Sequence, residues 1–321
     1  MPGVALRAVT EPVTDRDDLL SFADPRHPLT ALRRGDGIVG IGEALRLTFT
    51  GPDRLREAAA AWRTIAAAAE VVDTVHCPGS GLVAMGAFAF ADGSRAESVL
   101  VVPAMIVGRH NGVSWVTRIA AQGAAGDAEP PVPRPIGERP RATLAAASLS
   151  REEFTAVVGR AVEAIRAGQV EKVVIARDAT ANIPPDADRR ALLYELADRY
   201  PDCVTFAVDG LIGASPETLV SVHGGEASAR VLAGSTARGT GAADDAAAAA
   251  RLATSTKDLD EHAFAVHSVL DALRPHVRGV SASELPFTLK LPNLWHLATD
   301  VEMQLEASAS ALDIVAALHP T

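Results

Sequence analysis

A lysine inside an apolar run is the first residue of this sequence that could do chemistry. Lys172 lies within residues 170–176, Val-Glu-Lys-Val-Val-Ile-Ala, and it is one of only three lysines in the chain. The run predicts a β-strand. A lysine on the buried face of a strand loses hydration, which lowers its pKa and makes the amine a usable base. The alternative is a solvated lysine that blocks pairing at an edge strand, and spacing alone favours that structural role.

Two glutamates and a histidine could also carry chemistry. Glu217 directly follows the turn Gly-Ala-Ser-Pro at 213–216, which would present its carboxyl group rigidly at the start of a strand, as a proton donor requires. A proline–glutamate turn is also typical of a solvated loop. Glu261 and His262 lie on a predicted helix, where spacing alone favours a polar, solvated helix face for both.

A small-residue segment and a second histidine complete the candidates. Leu-Ala-Gly-Ser-Thr at 232–236 is predicted to end a strand, so its backbone N–H groups could hold a carboxylate. Within Leu-Trp-His-Leu, His296 is more typical of a histidine whose hydrogen bonds are satisfied in the core than of a catalyst. Taken singly, each of these patterns is weak.

The elements that would position these residues divide the chain into two halves and a linker. Residues 1–122 predict an antiparallel sheet with one helix packed on it. The helix is predicted over 53–72, and the strands over 37–51, 82–90, 98–107 and 113–119. Residues 123–149 are rich in glycine and proline and predict a linker that crosses the surface.

Residues 150–321 predict mixed helices and strands and contain every candidate named above. Ser150 and Glu153 form a capping box for a helix that ends at Gly168. The pattern predicts further helices over 188–199 and 244–277. It also predicts strands over 170–176, 203–208, 219–223 and 227–232, with the last two joined as a hairpin.

Composition and charge exclude several classes of protein. The net charge of −10 disfavours nucleic acid and anionic membranes as partners, although a local cationic pocket could still bind a small anion. Cys77 and Cys203 are far apart and outside any CxxC pattern, which argues against a disulfide framework and a zinc site. The sequence shows no signal-peptide pattern and no apolar segment long enough to span a bilayer. We therefore expect a cytoplasmic protein.

Six short motifs, taken together and in order, resemble the chorismate-binding enzyme family, and within it the isochorismate synthases most closely. They are EKVVIARD (171–178), GASPETLV (213–220), LAGSTARG (232–239), KDLDEH (257–262), LWHLAT (294–299) and ALHPT (317–321). The resemblance is strong over residues 150–321 and looser before them. It implies an α+β fold in one domain, 1–321, with a large two-layered antiparallel β-sheet core and flanking helices.

The resemblance also implies catalytic and metal-binding roles. Lys172 would be the base that activates water for attack at C2 of chorismate, and Glu217 the acid that protonates the departing C4 hydroxyl. Glu261 would help to hold Mg²⁺ against the ring carboxylate of the substrate. A base and an acid on opposite sides of a ring suit an allylic displacement.

Four further residues are implied to bind the substrate. The backbone amides of Gly234 and Ser235 would contact the ring carboxylate, and His296 and Thr299 would line the pocket. Relatives continue beyond the last motif with a second magnesium-binding glutamate and an arginine that binds the side-chain carboxylate. We therefore expect a fold that is incomplete at its C-terminus and a chain that alone is inactive or nearly so.

Several alternatives stay open at this point. Aminating relatives typically show another residue at the position of Lys172, or a lysine at the position of Ala233, and this sequence has neither departure. Salicylate synthases share Lys172, Glu217 and Glu261, so a salicylate synthase is an alternative, as is a non-catalytic chorismate-binding fragment. The pathway, menaquinone or siderophore biosynthesis, cannot be inferred, and the absence of an amidotransferase pattern favours a monomer.

Overall fold

The computed structural model describes residues 5–124, 129, 132–171, 173–306 and 309–319. The helices among these residues are α1 (Arg54–Ala68), α2 (Arg151–Arg166), α3 (Arg190–Arg199), α4 (Ala242–Thr254), α5 (Thr256–Leu273) and α6 (Ala311–Leu318). The strands of the N-terminal part are β1 (Leu6–Val13), β2 (Leu29–Arg33), β3 (Asp36–Ile41), β4 (Leu45–Phe49), β5 (Glu70–Asp73), β6 (Met85–Ala87), β7 (Ser98–Val102), β8 (Met105–His110) and β9 (Val113–Ala121). The later strands are β10 (Leu144–Ala146), β11 (Ala179–Ala181), β12 (Val204–Val208), β13 (Leu211–Ser215), β14 (Ser221–His223), β15 (Glu226–Ala237), β16 (Val277–Ala282), β17 (Phe287–Lys290) and β18 (Leu294–Leu305).

The largest sheet has eight strands and combines both halves of the sequence. Its strand order is β13-β12-β2-β3-β8-β9-β1-β5. All neighbours are antiparallel except β1 and β5, which run parallel. Strands β12 and β13 extend the sheet at β2, so the segment that carries Glu217 is anchored on the N-terminal half.

Aromatic and aliphatic side chains fill both faces of this sheet. Trp115 is fully buried and lies over Gly108, where a Cβ atom would come within 2.3 Å of the indole ring. On that face, the three-stranded sheet β4-β7-β6 contributes Val99 and Val101 to the same core. On the other face, Leu193 of α3 packs with the short 3₁₀ helix at Leu19–Phe22.

A second sheet of five strands carries the small-residue segment 232–236 and His296. Its order is β14-β15-β18-β16, and β17 also pairs with β18. Helices α5 and α6 pack on one face, where Leu273, Ile314 and Val301 are fully buried together. Because the eight-stranded and five-stranded sheets bury faces against helices or another sheet, the α+β class with layered, mainly antiparallel sheets is confirmed.

Three predicted elements are divided in the structure. The predicted strand 37–51 is two strands, β3 and β4, because Gly42 turns the chain in the left-handed region, with φ of 63°. Residues 98–107 also form two strands, which belong to different sheets and are separated at Pro103, since proline lacks the N–H that a strand ladder requires. The predicted helix 244–277 is two helices, and Ser255 caps α5 by accepting a hydrogen bond from the Asp258 N–H.

The region around α2 departs most from expectation. The capping box of Ser150 and Glu153 forms as predicted, yet no residue of α2 is buried. The predicted strand 170–176 is wrong for its described residues, because 173–176 have no regular secondary structure. Strand ladders need a hydrogen-bonding neighbour, and Val174 instead is 83% exposed.

None of the helices in the described residues combines the length and apolar character needed to cross a membrane.

The packing of α5 on the second sheet gives a stability prediction. Leu273 is fully buried, so Leu273→Ala removes methyl groups from a closed core and leaves a cavity. We expect a loss of about 2–5 kcal/mol in the free energy of unfolding. Leu285 is 80% exposed, and Leu285→Ala should change that free energy by no more than about 0.5 kcal/mol. Urea titration followed by circular dichroism measures both, and equal effects would contradict the assigned core.

Candidate functional site

A cavity of about 580 Å³ lies between α5, β15 and the segment around residue 172. Lys172 itself lies outside the residues that the structure describes. The residues on either side of it, Glu171 and Val173, line the cavity, as do Glu217 and Ala233. Most of the remaining lining is apolar: Val170, Val174, Leu219, Val231, Phe264, Ala265, Val269 and Leu318. The cavity therefore brings the predicted acid to the segment that contains the predicted base.

Glu217 lies in the loop between β13 and β14. Its backbone N–H donates to the Ser215 hydroxyl oxygen over 3.2 Å, which holds the turn predicted from the Gly-Ala-Ser-Pro sequence. The residue is exposed overall and lines the cavity, where the surrounding protein removes part of the hydration shell of its carboxyl group. This burial raises the pKa of the Glu217 carboxyl group above its ordinary value of 4.5. A carboxyl group with a raised pKa keeps its proton at higher pH, as a general acid must.

Gly234 and Ser235 form a β-bulge inside β15 rather than the end of a strand, which corrects the prediction for residues 232–236. The pairing of β15 with β18 shifts register between Ala233 and Ser235. Gly234 has φ of 79°, and a Cβ atom there would lie 3.3 Å from Asp258 on α5. A bulge interrupts the ladder and turns backbone groups away from it. The bulge at Gly234 therefore packs against the first turn of α5.

His296 lies opposite the bulge on β18. Its Nδ1 atom is 2.7 Å from the Ser235 hydroxyl oxygen, and the two residues are register partners across the strands. Burial lowers the pKa of the His296 imidazole below 6.5, while a hydrogen bond with the Gly234 backbone acts in the opposite direction. His296 is partly buried, whereas the sequence pattern predicted a histidine fully buried in the core.

His262 lies in an environment different from the one predicted from its sequence position. The expected solvated helix face is wrong for it, because His262 is only 2% exposed. Its Nδ1 atom is 3.0 Å from the Ala233 carbonyl oxygen, and its Nε2 atom is 2.8 Å from the Thr299 hydroxyl oxygen. Thr299 is also 2% exposed. A signal existed in the sequence, since His262 continues the buried stripe Val266, Val269 and Leu273 at helical spacing.

A charge cluster fastens the far end of the β15–β18 pair. Arg238 donates to both carboxylate oxygens of Asp245, and the Trp295 indole N–H donates to the same carboxylate over 2.9 Å. The hydrogen bonds from Arg238, together with the bond from Trp295, hold the pKa of Asp245 well below its ordinary value. The Arg238 guanidinium also lies over the Trp295 ring, and Lys290 lies over the same ring. This cluster holds Trp295, the residue next to His296, and no sequence motif predicted it.

Glu261 is the one predicted metal ligand in the described part of the chain. It is partly buried on α5, one residue before His262. The described residues contain no group of three or more histidine, cysteine, aspartate or glutamate side chains placed to hold a metal ion together. Mg²⁺ prefers hard oxygen ligands and is commonly held by one or two carboxylates together with water and substrate oxygens. Glu261 alone could supply one such carboxylate ligand.

The predicted residues fall into two groups that share Ala233. Glu217 and the neighbours of Lys172 line the cavity, whereas the lining described for it does not include Ser235, His296 or Glu261. Ser235 and His296 lie at the bulge. Ala233 joins the two groups because it lines the cavity while its carbonyl oxygen contacts His262.

The lowered pKa of His296 gives a titration prediction. Because burial disfavours the charged imidazole, the folded chain should protonate His296 at a pH below the ordinary value of 6.5. A group whose pKa is lowered on folding contributes stability above 6.5, and this contribution is lost as the pH falls through that value toward the folded pKa. Two-dimensional NMR of the imidazole protons against pH, compared with the chain in urea, measures both values. A folded midpoint at or above the unfolded one would contradict the assignment.

Known proteins with similar sequences include isochorismate synthases. The chain is 35% identical over 182 residues to the isochorismate synthase DhbC of Bacillus subtilis strain 168. This match covers 53% of this chain and 46% of that protein. It is 33% identical over 192 residues to the salicylate biosynthesis isochorismate synthase of Pseudomonas aeruginosa, covering 59% and 40% of the two chains. The matched region thus spans about half the length of these relatives.

A solved structure supports the fold independently. The structure of MenF, the menaquinone-specific isochorismate synthase from Escherichia coli, aligns with a TM-score of 0.75 over 99% of this chain and 75% of that one. At 20% identity, this similarity concerns the fold alone. The family described as chorismate binding enzyme matches residues 26–321, which is most of the sequence and includes every candidate residue named above. The chain therefore belongs to the chorismate binding enzyme family.

Proposed function

We propose that this chain is the chorismate-binding part of an isochorismate synthase, which converts chorismate to isochorismate. The observation that carries the proposal is the carboxyl group of Glu217, which lines a cavity of about 580 Å³ and has a pKa raised by burial. The relatives named as isochorismate synthases support the choice of reaction.

The proposed proton transfers use two residues of this chain. Lys172, as the neutral amine, takes a proton from the water that attacks C2 of chorismate. Glu217, as the protonated acid, gives its proton to the C4 hydroxyl, which departs as water while the ring double bonds shift. Each turnover leaves a lysine ammonium and a glutamate carboxylate, and proton exchange with solvent restores both. A raised pKa of Glu217 favours the form that donates.

The proposed substrate contacts use the bulge. The amides of Gly234 and Ser235 would donate to the ring carboxylate, because a bulge turns backbone N–H groups out of the strand ladder. His296 would face the substrate from the neighbouring strand, held by the Ser235 hydroxyl. Thr299 would shape the pocket from within the fold, through its contact with His262.

We propose Mg²⁺ as the cofactor, with Glu261 supplying one of its ligands. When bound, the ion would neutralise the ring carboxylate of chorismate. Ala233 lines the cavity and supports water over ammonia as the nucleophile, because an alanine at this position supplies no second amine. A cytoplasmic location and a monomeric state stay predictions from the sequence.

The test is chorismate turnover by the protein as its natural reading frame encodes it. Purified protein is incubated with chorismate and Mg²⁺, and the products are separated by chromatography. We expect isochorismate to form, and to stop forming when the metal is removed with a chelator.

Other products would replace the proposal. Salicylate with pyruvate would identify a salicylate synthase, and activity that requires glutamine and a second subunit would identify an aminating enzyme. Chorismate binding that depends on Mg²⁺ but gives no product would identify a binding module.

A further inference from the structure

Three elements of the candidate site meet at one buried side chain. His262 projects from α5 and contacts Ala233 on β15 and Thr299 on β18. Ala233 and Thr299 lie on adjacent strands of the same sheet, two rungs apart in the ladder. One imidazole therefore joins the helix that carries Glu261 to both strands that form the bulge.

The contacts of His262 determine which nitrogen carries its proton. A carbonyl oxygen only accepts hydrogen bonds, so the 3.0 Å contact with Ala233 requires a proton on Nδ1. A neutral imidazole then leaves Nε2 as an acceptor, and the Thr299 hydroxyl donates to it over 2.8 Å. The arrangement satisfies all three buried groups with one tautomer.

The bulge rests against the same helix one turn earlier. Asp258 and His262 are four residues apart on α5 and therefore share a helix face. A Cβ atom on Gly234 would lie 3.3 Å from both the Cβ atom and the carbonyl oxygen of Asp258. The helix thus supports the bulge at Gly234, while His262 holds the carbonyl group just before it. A sliding or rotation of α5 would move the bulge and Glu261 together.

We propose that His262 is a positioning residue that sets α5 against the bulge, so that the Ser235 amide and the Glu261 carboxylate face one substrate carboxylate. This inference rests on the proposed function for the identity of the substrate. His262 does not touch the substrate in this proposal; it acts through the Ala233 carbonyl and through the neighbouring residue on its own helix.

Two conservative variants separate the two hydrogen bonds. In His262→Asn, the amide nitrogen occupies the region of Nδ1, so the bond to Ala233 can be kept. In His262→Gln, the amide reaches toward Thr299 and the bond to Ala233 is lost. A misplacement of about 1 Å can cost about 10²-fold in rate. We expect His262→Gln to lower kcat by about 10²-fold and His262→Asn to stay within about tenfold of the natural protein.

Leu273→Ala serves as the control for instability. It removes a fully buried side chain on the same helix without touching the bulge. At a temperature where all variants are folded, it should keep the natural kcat even though it unfolds more easily. The proposal is overturned if the kcat of each variant follows its stability, or if His262→Gln and His262→Asn have equal kcat values. In either case His262 is only a core residue.

A measurement that does not depend on turnover distinguishes failure of the proposed function from failure of the positioning role of His262. Long-range proton–nitrogen NMR identifies the tautomer of His262, and amide hydrogen exchange at Gly234 and Ser235 reports how firmly the bulge is held. We expect a proton on Nδ1, and exchange that is faster in His262→Gln than in His262→Asn. A proton on Nε2 or equal exchange would overturn the positioning role even in an active enzyme. A protein that makes no isochorismate but shows both signatures would overturn the proposed function and leave the positioning role supported.

Discussion

Replacing Glu217 by glutamine should nearly abolish isochorismate formation while leaving the fold at least as stable. Glutamine keeps the shape of the side chain but cannot give a proton to the departing hydroxyl. General acid catalysis commonly contributes about 10²–10⁴-fold, so kcat should fall by about that factor. Chromatographic rate measurements at saturating chorismate and Mg²⁺ test this expectation.

The stability of Glu217→Gln should depend on pH with a defined sign. Folding raises the pKa of Glu217 above 4.5, so the folded chain disfavours the ionised carboxylate. The natural protein therefore loses stability, relative to the variant, as the pH rises from 4.5 through the raised pKa. Thermal unfolding across that pH range should show that the stability of the variant increases relative to that of the natural protein. A variant that is less stable at neutral pH would contradict the cause assigned to the shift.

Glu226→Gln is the matched control for Glu217→Gln. Glu226 lies on the neighbouring hairpin, is exposed, and does not line the cavity in the part of the chain that the structure describes. The same chemical change there should leave kcat unchanged. If both variants lost activity equally, the effect would reflect total charge and not proton donation.

Replacing Gly234 by alanine should weaken both substrate binding and folding. Alanine in the left-handed region costs about 1–3 kcal/mol when the surrounding structure imposes that conformation. The new methyl group would also lie 3.3 Å from Asp258 and from Leu297, so the bulge must move by a few tenths of an ångström. The Ser235 amide would move with it. Because a hydrogen bond to a charged group contributes about 1.5–3 kcal/mol, KM for chorismate should rise by about tenfold or more.

Gly225→Ala separates backbone strain from the loss of binding. Gly225 has φ of 85° in the β14–β15 turn, and a Cβ atom there would meet no atom of the described residues within 4 Å. The Gly225→Ala variant has the same conformational cost as Gly234→Ala but makes no close contact. We therefore expect the variant to be less stable, with an unchanged KM for chorismate. Equal KM values for the two variants would contradict the role assigned to the bulge.

The sequence alone determined the local elements with strong signals and the family. The capping box at Ser150 and Glu153 and the hairpin turn at Gly224 and Gly225 depend on neighbours within a few residues, so local patterns suffice to predict them. The six ordered motifs likewise predict a chorismate binding enzyme from residue types and order alone, and the family match confirms that prediction.

The tertiary structure decided which of these patterns are buried and where they meet. His262 looked like part of a solvated face because its partners, Ala233 and Thr299, are 29 and 37 residues away in the sequence. Residues 232–236 looked like the end of a strand because their continuation depends on pairing with β18. The pKa of Glu217 depends on a cavity whose walls come from β15, α5 and the residues around 172. Hydrogen bonds and desolvation across such separations are set by packing, which no short window of sequence contains.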